Sequence, residues 1–172
     1  IFNLELNEKA FISPSALNNY LDCQLRFYLK YVAKLQAPEE VTAEIDSATF
    51  GSIFHKSAEY IYKDLTEHNS LIVKEDIEKL LKDPVRIENY VDRAFKELFF
   101  HISLDEKPEY NGTQLINSAV IVRYIKQLLQ HDLKHAPFTF VGSEKYVSER
   151  ICIHTPSGDF TSRIGGCIDR ID

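Results

Sequence analysis

An α+β fold, or an α/β fold cut after its early strands, is what this sequence predicts, and three observations predict it. Apolar residues recur at three- and four-residue spacing through the helical first part of the chain, up to His135, which is the period of amphipathic helices. After Pro137 the period falls to two and β-branched and aromatic residues take over, as in strands. The last two of these runs are separated by Thr155-Pro156-Ser157-Gly158-Asp159, turn chemistry that joins them as an antiparallel hairpin.

The elements follow in order. Ser13 before Pro14 starts the first helix, because a serine hydroxyl accepts from exposed N–H groups and proline suits the first helical position. Its pattern runs to about Lys34, with Leu17, Tyr20, Leu21, Tyr28, Leu29 and Val32 as one buried stripe and Arg26, Lys30 and Lys34 on another face. Residues 36–46, with Pro38 and four acidic residues, form a loop. Ser47 to Glu67 is the second helix, with Phe50, Ile53, Phe54, Ile61 and Leu65 on its apolar side. Helices over Lys74 to Lys82 and Pro84 to Phe100 are divided by Asp83-Pro84. The longest amphipathic stretch, Thr113 to Lys134, follows the turn-forming Asn111-Gly112. Strands are expected over Phe138 to Val147, Arg150 to His154 and Phe160 to Asp172.

With 172 residues and 44% hydrophobic content, the chain can bury the core of one ordinary domain, which excludes disorder. It carries no apolar run long enough to span a membrane and no basic, apolar leader, so a cytoplasmic protein away from membranes is expected. Three cysteines without CxxC spacing point to reduced thiols rather than a disulfide framework or a zinc knuckle. The start at Ile1 without methionine suggests a piece of something longer. A net charge of −6 argues against an electrostatic clamp on nucleic acid. It leaves room for a protein that meets phosphate through cations held by carboxylates.

Few residues have the chemistry for a site. In the last strand Asp169 shares a face with Cys167 and Ile171, and Asp172 shares the other with Ile168 and Arg170. Asp169 is therefore a candidate metal ligand or a solvated strand-end carboxylate. Gly165-Gly166 before it marks a bulge or a close backbone approach. His55 lies four residues after Gly51, so on a helix a small residue sits one turn below the imidazole and leaves room for an approaching group. Imidazole beside carboxylates suits Mn²⁺, Zn²⁺ or Fe²⁺ better than Mg²⁺ alone. Glu144 stands in the first strand, its face undecided by parity, as a site carboxylate or a solvated charge. His131 and His135, one turn apart, lack a third ligand and read as surface residues near a helix C-terminus. The row Arg26, Lys30 and Lys34 either tracks a phosphate backbone or is a solvated helix face.

Taken together, these segments resemble the RecB/AddB-like branch of the PD-(D/E)XK nuclease superfamily. The stretch Ser13-Pro14-Ser15-Ala16-Leu17-Asn18-Asn19-Tyr20 with Cys23-Gln24-Leu25-Arg26-Phe27-Tyr28 is similar to that family's first helix, except that Gln24 replaces the usual proline. Phe50-Gly51-Ser52-Ile53-Phe54-His55 is similar to its Gly-x-x-x-His helix, and Gly166-Cys167-Ile168-Asp169-Arg170-Ile171-Asp172 to its Gly-x-Ile-Asp-Arg strand.

The resemblance implies a restriction-endonuclease-like core and a single, incomplete nuclease domain over 1–172, with helices over about 14–135 and strands over about 138–172. It implies hydrolysis of DNA phosphodiesters with Mg²⁺ or Mn²⁺ held by His55 and Asp169, with Glu144 and Gly51 supporting the site; Arg26, Lys30 and Lys34 remain the candidate DNA contacts of the helix-face reading above. It also implies either the nuclease part of a DNA-repair helicase–nuclease, with a helicase domain or subunit as partner, or a RecB-like exonuclease that is stand-alone or CRISPR-associated. The family's Asp/Glu-x-Lys strand and Gln-x-x-x-Tyr helix would lie beyond Asp172, so this stretch alone is expected to be inactive. Cys23 has no downstream cysteine trio here, and no 4Fe–4S cluster is expected. The alternatives are a nuclease-like module that holds DNA or a partner without cutting, and a plain α+β interaction domain.

Overall fold

In the computed structural model of the chain, residues 11–35, 44–156 and 158–172 are described. Of the expected acidic loop over 36–46, residues 36–43 lie outside them, as does Ser157 of the hairpin turn. The architecture is α+β, and the chain divides into two compact units: residues 1–40 with 144–169, and residues 41–143 with 170–172.

The larger unit is helical. Helix α3 (Ser47–Leu65) starts where the Asp46 side chain accepts from the Thr49 N–H at 2.6 Å. It is followed by α4 (Lys74–Leu81) and α5 (Pro84–Phe95); Asp83 caps α5, with Pro84 in its first turn. Helix α6 (Gly112–His135) opens with a reciprocal capping box: Asn111 accepts from the Gln114 N–H, and the Gln114 side chain accepts from the Asn111 N–H, both at 2.9 Å. Their apolar faces meet in one core of Ile53, Tyr60 and Ile61 from α3, Ile77 and Leu80 from α4, Ile87, Val91 and Phe95 from α5, and Ile121, Ile125 and Leu129 from α6. Two short antiparallel strands close it, β1 (Leu71–Ile72) on β2 (Phe138–Thr139), with Ile72 opposite Phe138. The sequence period did not foretell β1, since two residues are too few to show alternation.

The smaller unit holds α1 (Pro14–Asp22), the short α2 (Gln24–Phe27) with a π-helical turn over Tyr28–Val32, and nearly all of the hairpin β3 (Gly142–Thr155) and β4 (Gly158–Ile171). Two expected strands, Phe138 to Val147 and Arg150 to His154, are redivided: a short β2, then one strand continuous through Ser148 and Glu149.

The continuous helix expected up to Lys34 is broken at Cys23, whose backbone is extended at φ −160°, ψ 109°. The break lets α2 fold back on α1. Phe27 packs edge-on to Tyr20 at 5.4 Å, and the Asn19 amide reaches the Tyr31 hydroxyl at 3.3 Å, a pair that a straight helix would separate by about 18 Å of rise. The expected stripe is also not buried. Tyr20, Leu21, Tyr28, Leu29 and Val32 are exposed, and Ala16 is the fully buried residue of α1. The π turn and the left-handed Lys34 (φ 52°) take Arg26, Lys30 and Lys34 out of one straight α-helical row, though all three remain exposed.

The N-terminal segment is pinned to β4: the Ile12 N–H donates to the Arg163 carbonyl at 2.8 Å and the Gly165 N–H to the Ile12 carbonyl at 3.1 Å. That seats the Ser13-Pro14 helix start beside Gly165-Gly166, with Pro14 Cδ only 3.7 Å from where a Cβ on Gly166 would stand. At Gly165 a Cβ would come within 2.6 Å of the Val147 carbonyl and 2.7 Å of Ser148 Cβ. The expected close approach is therefore real, and it is made by the neighbouring strand of the protein itself.

Candidate functional site

Hairpin geometry brings two of the expected acids together. From the turn, Glu144 lies as far back along β3 as Asp169 lies forward along β4, which sets the two across from each other on neighbouring strands. Their carboxylates come within 4.8 Å of one another, both exposed. Parity could not assign Glu144 a face because its backbone leaves the strand conformation: φ is +50°, the left-handed region that a non-glycine residue adopts at a cost. Glu144 thus holds its carboxylate beside Asp169 through a local kink that the sequence does not advertise.

Cys167 shares the face of Asp169, and its Sγ–H donates to Glu144 Oε2 at 3.3 Å. Partial desolvation first, then this hydrogen bond and the two negative charges, push the Cys167 thiol above its ordinary range. The carboxylates are a pair of like charges with hard oxygen donors, the donor chemistry that Mg²⁺ or Mn²⁺ takes. On donor chemistry, these residues fit a divalent cation.

His55 belongs to the helical unit, half-buried on α3, its ring edge-on to that of Phe54 at 5.8 Å. One turn earlier, a Cβ on Gly51 would meet nothing within 4 Å, so the glycine leaves open space rather than admitting a packed neighbour. His131 and His135 are exposed at the end of α6 with their rings 4.4 Å apart. A second mixed donor set, Cys152, His154 and Asp159, lies exposed at the hairpin tip, where His154 Nδ1 and Asp159 Oδ1 are 2.7 Å apart.

Sequence reasoning missed a buried polar network in the helical unit. Asp132 is buried on α6 and accepts from the Tyr62 hydroxyl and from Arg170 Nη1, the latter at 2.6 Å. Burial first, then the bond to Asp132, pushes the Tyr62 phenol well above its usual range, so it stays a donor. A signal was present: Asp132 continues the apolar series Ile121, Ile125 and Leu129, where an unpaired acid would be costly.

Neither curated proteins nor solved structures include a significant match to the chain. A family model does match, from Ile12 in the segment that pins α1 to Asp172 at the end of the β4 segment, and so takes in the paired carboxylates, the glycine pair and α3. With residues 12–172 matched, the chain belongs to the PD-(D/E)XK nuclease superfamily.

Proposed function

We propose that this protein is a metal-dependent DNA nuclease of the RecB/AddB-like branch that uses Mg²⁺ or Mn²⁺, with Asp169 and Glu144 as carboxylate ligands and His55 as a metal-ligating imidazole. The observation that carries this reading is the carboxylate pair closing across the hairpin, in a chain of a nuclease superfamily. A divalent cation there would neutralise the anionic transition state of phosphodiester hydrolysis and activate water. The chain's own contribution is to hold two hard oxygen donors close across the hairpin. Gly51 keeps open the turn of α3 below His55, and Arg26, Lys30 and Lys34 supply positive charge for the DNA backbone. The two units act as one nuclease domain, joined in the cell to a helicase domain or subunit of a repair complex.

The test uses Mn²⁺ binding, read by electron paramagnetic resonance, and cleavage of duplex and single-stranded DNA by the full-length gene product. His154→Ala serves as the background, so that an ion at the hairpin tip is not counted. Asp169→Ala is expected to weaken Mn²⁺ binding at least tenfold and to abolish cleavage, while the circular dichroism spectrum stays unchanged. Normal cleavage by Asp169→Ala would end the proposal. Mn²⁺ binding with no cutting by the full-length wild type would favour a module that holds DNA or a partner without hydrolysing it.

A further inference from the structure

Residue 170 follows the proposed metal ligand by one peptide and points to the opposite face of β4. Its guanidinium is held on every side within the helical unit. Nη1 donates to Asp132 Oδ2 at 2.6 Å and to the Tyr62 hydroxyl at 2.7 Å, while Nη2 donates to Asp172 Oδ2 at 2.7 Å. The guanidinium carbon lies 4.5 Å from the Tyr62 ring centroid and 4.9 Å from that of Phe138. Tyr62 is stacked in turn on Phe140, at 5.2 Å and 15°. Nε is buried without a partner, so the hold runs through the two terminal nitrogens. Beside it, the Val141 N–H donates to the Ile171 carbonyl at 2.9 Å. A charge this buried is costly unless its partners are fixed, and here those partners stand on a packed helix and two aromatic rings. The backbone at residue 170 therefore has little freedom, and through one peptide bond it restricts the Cα from which the Asp169 carboxylate projects.

We infer that Arg170 is a positioning residue: clamped by Asp132 and Tyr62, it fixes the end of β4 so that Asp169 presents its carboxylate in one orientation to the metal. This rests on the proposed metal role of Asp169. Support residues behind metal ligands act in this way, and their loss commonly lowers metal affinity by about 10- to 100-fold.

The experiment replaces the network by apolar groups of similar size, Tyr62→Phe with Asp132→Leu and Arg170→Met, a change that often leaves a fold as stable as before. Arg170→Lys, which keeps the charge but replaces the planar, ring-stacking fork by a single ammonium point, is measured in parallel. Mn²⁺ affinity is read by electron paramagnetic resonance, folding by circular dichroism and melting, and backbone freedom by amide exchange at residues 168–171. The expected result is a folded triple variant, and a folded Arg170→Lys, binding Mn²⁺ about tenfold or more weakly, with faster exchange at those amides. Wild-type Mn²⁺ affinity in either folded variant overturns the inference, whatever its melting temperature; should the triple variant not fold, Arg170→Lys decides alone. Asp169→Ala separates the two ideas. If that variant itself binds Mn²⁺ normally, the metal reading has failed; if it loses Mn²⁺ while the Arg170 variants keep it, the clamp has failed.

Discussion

Glu144 is set apart by a single backbone angle. Alternation along β3 assigns it no face, and its φ of +50° is why: left-handed geometry turns the side chain out of the strand's two-residue rhythm. For a residue with a Cβ this conformation costs about 1 kcal/mol or more relative to extended backbone. Strain retained at an exposed acid beside a second acid points to a role outside stability. Glu144→Gly removes both the strain and the carboxylate. Glycine loses more chain entropy on folding, so the net gain in metal-free stability is about 0.5 kcal/mol, while Mn²⁺ affinity falls at least tenfold. Chemical denaturation in chelator and a Mn²⁺ titration measure the two effects, and a variant that is less stable, or binds Mn²⁺ normally, would contradict the reading. The same logic explains what was legible here and what was not. Asp169 stood out as an acid in an apolar strand and His55 through its glycine, whereas the turn of Glu144 and the partners of Arg170 depend on residues distant in sequence.

At the scale of elements, α2 and α5 each run into a π-helical turn, over Tyr28–Val32 and Lys96–Phe100, and both are ended alike. Lys34 and His101 both take left-handed backbone, φ 52° and 51°, and in each the next N–H reaches six residues back, Leu35 to the Leu29 carbonyl at 2.9 Å and Ile102 to the Lys96 carbonyl at 3.1 Å. Glycine usually marks such an end, and neither site has one, so the sequence pattern carried the helices to Lys34 and Phe100 without showing where the pitch widens. Caps with ordinary signatures were legible: Ser13, Asp83-Pro84 and Asn111 all start helices within a residue of where side-chain chemistry puts them. The hairpin was legible as a whole because its turn and glycine pair leave few registers open. Its tightest point makes a direct test. A methyl group on Gly165 would stand 2.6 Å from a backbone carbonyl and 2.7 Å from Ser148 Cβ, and neither is the far end of a flexible side chain. Gly165→Ala is expected to force the strands apart and cost about 1–3 kcal/mol, whereas Gly166→Ala, whose Cβ would meet Pro14 Cδ at an ordinary contact distance of 3.7 Å, is expected to be nearly neutral toward packing. Equal melting temperatures for the two variants would show that the hairpin is looser than its geometry implies.

At the scale of the molecule, charge decides how DNA is approached. Twenty basic residues against 26 acidic ones give a net −6, so a polyanion meets repulsion before it meets any local basic patch. No helix among the described residues is long and apolar enough to cross a membrane. On the proposed function, the paired carboxylates deepen the negative potential where phosphate comes closest. A cation bound there reverses the sign locally, so on the proposed function DNA binding and metal binding are one linked event rather than two. Anisotropy of a labelled duplex with uncleavable phosphorothioate linkages tests this. In Mn²⁺ the full-length protein is expected to bind, and chelation is expected to weaken binding at least tenfold. With Arg26, Lys30 and Lys34 as the main phosphate contacts, the slope of log K against log salt in Mn²⁺ should be near −3, about 0.9 per contact. Replacing all three by alanine should flatten it by most of that amount without changing Mn²⁺ affinity. Tight binding that survives chelation with a slope near −8 would mean that a different, strongly basic surface engages the DNA, and that the carboxylate pair is not where phosphate is met.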